Sequence, residues 1–168
     1  MARVFFALWP GNAAPALSRL GADVALVSDG KPVPSEKIHL TLAFLGEVEA
    51  ARLADAHDAA RGVAFEPFSF ALDRVGSFRA ARVAWAGAAA TPQPLAALQS
   101  ALAARLHSAH FRLEERAFSP HATLARRTRH PVPLAAIDPI AWRVDGFTLV
   151  RSGTGNGRYE VLEEYRAG

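Results

Sequence analysis

One short pattern occurs twice in this chain, and the duplication constrains the fold more than any other feature. Ile38-His39-Leu40-Thr41-Leu42-Ala43-Phe44-Leu45-Gly46 returns as Phe118-Ser119-Pro120-His121-Ala122-Thr123-Leu124-Ala125-Arg126, with the second His 82 positions after the first in a chain of 168 residues. Each run sets a His and a Thr two residues apart within an apolar stretch. Successive side chains of a β-strand point to opposite faces. His39 and Thr41 therefore share one face, with Leu40, Leu42 and Phe44 on the other. The same parity joins His121 to Thr123 and sets them opposite Ala122 and Leu124. The pattern predicts two strands that bury an aliphatic side and present an imidazole and a hydroxyl. Six His and six Thr in this length give about 0.2 chance matches to His-x-Thr, and two are present.

The rest of the chain supplies elements to hold those strands. Arg3 to Trp9 is apolar and aromatic and ends at Pro10-Gly11, which predicts a first strand. Asn12 is positioned to cap a helix from Ala13 to about Val27, with Ala16, Leu17, Leu20, Val24 and Val27 at helical spacing and Gly21 weakening its middle. Lys31-Pro32-Val33-Pro34-Ser35 is a stiff connector into the first motif strand, which stops at Gly46. A second helix is expected over Glu47 to Arg61, with Gly62 as its stop. Strands follow at Phe65 to Leu72 and Arg82 to Ala86, joined by a turn at Gly76-Ser77-Phe78-Arg79. Thr91-Pro92 opens a third helix carrying Leu95, Leu98, Leu102 and Leu106. Phe111 to Phe118 leads as a strand into the second motif. Ala141 to Arg151 and Arg158 to Leu162 close the chain as paired strands joined by Ser152-Gly153-Thr154-Gly155-Asn156-Gly157. That link lacks the Lys-Ser/Thr and following helix of a phosphate loop, so it reads as a hairpin turn. The order predicts an α+β fold with antiparallel pairing.

Composition narrows the chemistry. With no cysteine, a disulfide framework, a thiolate metal site and a thiol nucleophile are all excluded. No stretch matches a signal-peptide core or a membrane span, so a monomer in the cytoplasm is the expectation. The formal charge is +3, and of 19 basic residues only Lys31 and Lys37 are lysines. Arginine suits bidentate phosphate contacts. His57, His107, His110 and His130 form no recognisable metal set, so no metal and no cofactor are expected.

Two His and two Thr on facing strands fit phosphodiester transfer through a neighbouring hydroxyl or a cyclic phosphate. A neutral imidazole takes a proton from attacking water, and a protonated one gives a proton to the leaving sugar oxygen; both states are accessible near pH 6.5. The hydroxyls can donate to phosphoryl oxygens.

These motifs resemble the two-histidine (2H) phosphoesterase superfamily. Within it the chain is similar to the bacterial RNA 2′,3′-cyclic phosphodiesterases, also called LigT-type 2′-5′ RNA ligases. The likeness runs through Arg3-Val4-Phe5-Phe6-Ala7-Leu8-Trp9-Pro10, Pro32-Val33-Pro34, both His motifs, Leu72-Asp73-Arg74, Arg82-Val83-Ala84-Trp85 and Phe147-Thr148-Leu149-Val150-Arg151-Ser152. The resemblance implies a single bilobal domain over residues 1–168: two antiparallel sheets facing across a central cleft, helices on the outer faces, one motif strand in each pseudo-symmetric lobe. It implies metal-independent hydrolysis of RNA 2′,3′-cyclic phosphate ends to 2′-phosphomonoesters, with reversible 2′-5′ ligation in some relatives. By motif position His39 is the general acid and His121 the general base, and Thr41, Thr123 and Arg126 hold phosphate. Strict alternation sets Arg126 on the core face with Leu124, so it reaches phosphate only if the strand ends or bends. Glu163-Glu164-Tyr165-Arg166 departs from the more apolar ending of the family. A related phosphoesterase acting on a small cyclic nucleotide, or a non-catalytic RNA-end binder, would use the same cleft.

Overall fold

The computed structural model describes residues 1–153 and 157–168. Among these, nine strands and three α-helices follow one another: β1 (Ala2–Leu8), α1 (Ala14–Ser28), β2 (Lys31–Pro32), β3 (Leu40–Val48), α2 (Ala50–Arg61), β4 (Phe68–Phe78), β5 (Val83–Gly87), α3 (Gln93–Ser108), β6 (His121–Arg126), β7 (Ala135–Val144), β8 (Gly146–Ser152) and β9 (Tyr159–Arg166). Short 3₁₀ turns cover Gly11–Ala13 and Ser35–Lys37. The α+β class with antiparallel pairing is what the sequence predicts. The strands form one hydrogen-bonded sheet in the order β7-β4-β5-β6-β3-β1-β8-β9, with β2 on β6, rather than two separate sheets. The halves β7-β4-β5-β6 and β3-β1-β8-β9 are joined by one ladder rung, Leu40 opposite Ala122. No described helix is long and apolar enough to cross a membrane.

One face of the sheet carries the main core. Val4, Phe6, Leu8, Leu40, Leu42, Leu72, Leu124 and Leu149 pack there against Leu17 and Val24 of α1, Ala56 and Ala60 of α2, and Leu95, Leu98, Leu102 and Leu106 of α3. The four leucines of α3 are all essentially buried, each contributing roughly 1.5–3 kcal/mol. That exceeds the ~1 kcal/mol of a missing cap. Neither Asn12 nor Thr91 caps a helix: Ala13 and Pro92 take the cap positions of α1 and α3 without a side-chain bond. Strand β1 is buried on both faces. Phe5, Ala7 and Val150 form a small cluster on the face away from the helices, flanked by Trp9 and Tyr159. This explains why β1 reads as an unbroken apolar run.

Several boundaries differ from the sequence reading, each for a tertiary reason. Strand β3 runs past Gly46 to Val48, because Gly46 (φ +73°) takes up a bulge against Val4 and Phe5. The β4–β5 turn lies at residues 79–82, with Arg82 left-handed at φ +55°, and not at Gly76. Gly76 instead lies inside β4 opposite Trp85, where a Cβ would meet the indole Cζ2 at 2.6 Å. The 111–118 stretch holds no strand. The run expected as one strand over 141–151 is two: β7 pairs β4, then the chain crosses at Asp145 and β8 pairs β1 and β9. Asp145 is a single residue between Val144 and Gly146, so the pattern shows no break long enough to mark the crossing. The expected turn at 152–157 falls partly outside the described residues; its flanks pair antiparallel through Gly153 N–H to Arg158 O at 2.7 Å.

Gly76→Ala is expected to lower unfolding stability by about 1–3 kcal/mol, the cost of overpacking against a rigid indole. Chemical denaturation and Trp85 emission measure it. An unchanged midpoint would mean that the ring is free to move aside.

Candidate active site

The rung that joins the halves is also the centre of the candidate site. Leu40 and Ala122, each the middle residue of a His-x-Thr motif, face one another and are fully buried. Antiparallel direction then sets His39 beside Thr123 and Thr41 beside His121, all on the face away from the helices. The four side chains predicted as functional are thus brought together around one backbone pair.

A matched pair of bulges extends the site. Partner register runs from Ala7 opposite Thr41 to Phe6 opposite Ala43, leaving Leu42 unpaired. In the other half it runs from Trp85 opposite Thr123 to Ala84 opposite Ala125, leaving Leu124 unpaired. One extra residue inverts every later side chain. Leu42 and Ala43 are both buried, as are Leu124 and Ala125, and the next residues, Phe44 and Arg126, are exposed. Phe44, expected in the core, is therefore on the site face, where the Arg3 guanidinium lies 5.1 Å from its ring. Arg126, which strict alternation would have buried, is brought to the same face by the bulge at Leu124. The freed carbonyls are satisfied: Gln99 Nε2 donates to Leu42 O at 3.4 Å, and Val33 N–H donates to Leu124 O at 2.8 Å. Gly21 of α1 has a reason beyond propensity, since a Cβ there would sit 3.2 Å from Leu124 O.

The two imidazoles are held alike. His39 Nδ1 lies 2.7 Å from Lys37 O, and His121 Nδ1 lies 2.9 Å from Ser119 O. A carbonyl oxygen only accepts, so Nδ1 carries hydrogen and donates in both rings. Each Nε2 is left to accept a proton when the ring is neutral, or to donate one when it is charged. Among the described residues no hydrogen bond takes up the hydroxyl of Thr41 or Thr123, so both can serve a ligand.

The surroundings of the two rings differ. Phe5 (5.0 Å between ring centres), Trp9 (5.6 Å) and Tyr159 (5.4 Å, edge-on) enclose His39. Burial pushes the His39 pKa below 6.5, opposed by the bond to Lys37 O and reinforced by the positive charges of Arg126 and His121. His121 meets the edge of Phe78 at 5.0 Å and is more open. Among the described residues, no three His, Asp or Glu side chains gather as a metal site. His57 lies apart, against the Tyr165 hydroxyl at 3.1 Å, and His107 closes the last turn of α3. The aromatic enclosure of His39 and the two carbonyl anchors have no signature in the sequence pattern. The anchors lie two residues before each His, but nothing in Lys37 or Ser119 as residue types marks a backbone oxygen.

A family model described as the 2′-5′ RNA ligase superfamily matches residues 12–156. The RNA 2′,3′-cyclic phosphodiesterase of Escherichia coli is 33% identical over 133 residues, covering 77% of this chain and 74% of its own. That of Thermus thermophilus is 34% identical over 181 aligned positions, covering 97% of this chain and 89% of its own. Among solved structures, E. coli LigT complexed with 3′-AMP superposes with a TM-score of 0.87 at 29% identity, covering 99% of this chain and 98% of that one. Matched by this family model over most of its length and by relatives at 33–34% identity, the chain belongs to the 2′-5′ RNA ligase superfamily.

Proposed function

We propose that the protein hydrolyses RNA 2′,3′-cyclic phosphate ends to 2′-phosphomonoesters, using His39 and His121 as paired acid and base. The observation that carries this reading is the shared anchoring of the two imidazoles, each with Nδ1 engaged and Nε2 open beside an unengaged threonine hydroxyl. The names of the curated relatives support the substrate. In the reaction His121 Nε2 takes a proton from water as its oxygen attacks phosphorus. The P–O3′ bond breaks, and His39 Nε2 gives its proton to O3′. Thr41, Thr123 and Arg126 hold the non-bridging oxygens as their negative charge builds. With an RNA 5′-hydroxyl in place of water, the same step forms a 2′-5′ diester. The division of 1–168 into two pseudo-symmetric halves, each with one motif strand, is supported by the single rung between them.

The assignment of acid to His39 rests on motif position. Burial drains the proton from this ring in the free protein, and the negative charge of a bound phosphate restores it. The lowered pKa also makes the imidazolium a stronger acid toward O3′.

His39→Ala and His121→Ala are each expected to lower turnover of a cyclic-phosphate RNA end by about 10²–10⁴-fold. Both should keep the native circular dichroism, and EDTA should leave the wild type unaffected. Full activity in either variant would sink the scheme, and ADP-ribose cyclic phosphate as a competing substrate separates RNA ends from small cyclic nucleotides. The kcat/KM profile should be bell-shaped, and NMR titration should place the His39 imidazole below pH 6.5 in the free protein and higher when inorganic phosphate binds. A flat profile from about pH 5 to 8, where imidazole titrates, would count against two-imidazole chemistry. Roles separate with a p-nitrophenyl phosphodiester, whose leaving group needs no proton. His39→Ala should regain activity on it and His121→Ala should not; the opposite result would exchange acid and base.

A further inference from the structure

Both lysines of the chain line one groove. Lys31, Pro32, Val33 and Lys37 form one wall, Arg126 and Arg127 the other, and Tyr159 stands at the end nearest His39. Four cations meet there, and none of the lining residues is acidic. Lys31 and Arg126 are direct partners across the β2–β6 ladder, a placement that costs energy between like charges. The carboxylates of Asp29 and Glu160 are engaged with other arginines, Arg129 and Arg151. Arg127 adopts φ +54°, a backbone state that disfavours a non-glycine residue and collects at ligand-binding sites. Pro32 and Pro34 stiffen the opposite wall, and Val33 N–H is tied to the bulged Leu124. A fold that holds repelling charges rigidly around a concave surface is built for an anion.

The groove is continuous with the catalytic face. Lys37 anchors His39 through its carbonyl, and its ammonium lies 5.2 Å from the Tyr159 ring, whose edge meets His39. We infer that this groove carries the RNA backbone immediately 5′ of the cyclic phosphate, with Lys31 and Arg127 contacting its phosphodiesters. The inference rests on the hydrolase reading for what occupies the His pair. It assigns these two residues a part in selecting an RNA chain over a mononucleotide and none in the chemical step. A cationic groove beside an aromatic ring is the usual form of single-strand recognition.

The test uses a Lys31→Ala/Arg127→Gly double variant; both positions are exposed, and glycine accepts the φ of residue 127. Binding of a fluorescent oligoribonucleotide with an unmodified 3′ end is measured against salt. The variant should bind about tenfold more weakly, with a log–log salt slope shallower by about 1.4, from two phosphate contacts at ~0.7 each. Unchanged affinity and slope would overturn the inference. In turnover, kcat/KM for an oligoribonucleotide with a cyclic end should fall about tenfold, chiefly through KM, with adenosine 2′,3′-cyclic phosphate within twofold of wild type. Equal loss on both substrates would also overturn it. Should the wild type turn over neither substrate while the binding difference holds, the hydrolase reading fails and the groove stands.

Discussion

The single rung between Leu40 and Ala122 is the contact on which the arrangement of the site depends. It is the ladder pair between β3 and β6 that joins the two four-stranded halves, and it falls at the middle residue of each His-x-Thr motif. Because both residues are fully buried, the flanking His and Thr are driven to the opposite face. A rung displaced by one residue on either strand would invert that strand's parity and turn its imidazole toward the helices. Packing of Leu40 and Ala122 into the core thus holds the register that the proposed chemistry requires.

The bulges at Leu42 and Leu124 do for the outer part of the site what the rung does for its centre. Each puts two consecutive apolar residues into the core and brings the following side chain, Phe44 or Arg126, to the site face. A bulge frees a carbonyl, and a buried free carbonyl costs about 1–3 kcal/mol. Here a helix side chain, Gln99, serves one and a connector N–H, that of Val33, serves the other. The Pro-Val-Pro connector therefore has two uses: it keeps β6 bent, and it forms a wall of the basic groove.

The two motif strands repeat each other in local backbone but not in the surroundings of their imidazoles. Both imidazoles hang from a carbonyl two residues back, which sets the same tautomer in each. His39 is then enclosed by Phe5, Trp9 and Tyr159 while His121 stays open beside Phe78. Like anchoring with unequal solvation is a simple way to set apart the acid and the base of the proposed reaction.

Much of this is legible in the order of residues alone. Period-two alternation identifies both motif strands, helical spacing identifies the buried leucines of α3, and the repeat of His-x-Thr singles out the four central side chains. Those signals are local, and local patterns report which face of an element is buried. Alternation misplaces Phe44 and Arg126 because a bulge depends on the partner strand, which no window of the sequence contains. It passes over the β7–β8 crossing at Asp145 because a single residue separates the strands and only their partners differ. The amino-acid pattern is thus enough to choose the four central residues and the faces they share. Their register across the rung, the turn of Arg126 toward the site, the desolvation of His39 and the gathering of both lysines come from the folded molecule, because each depends on contacts between segments far apart in the chain.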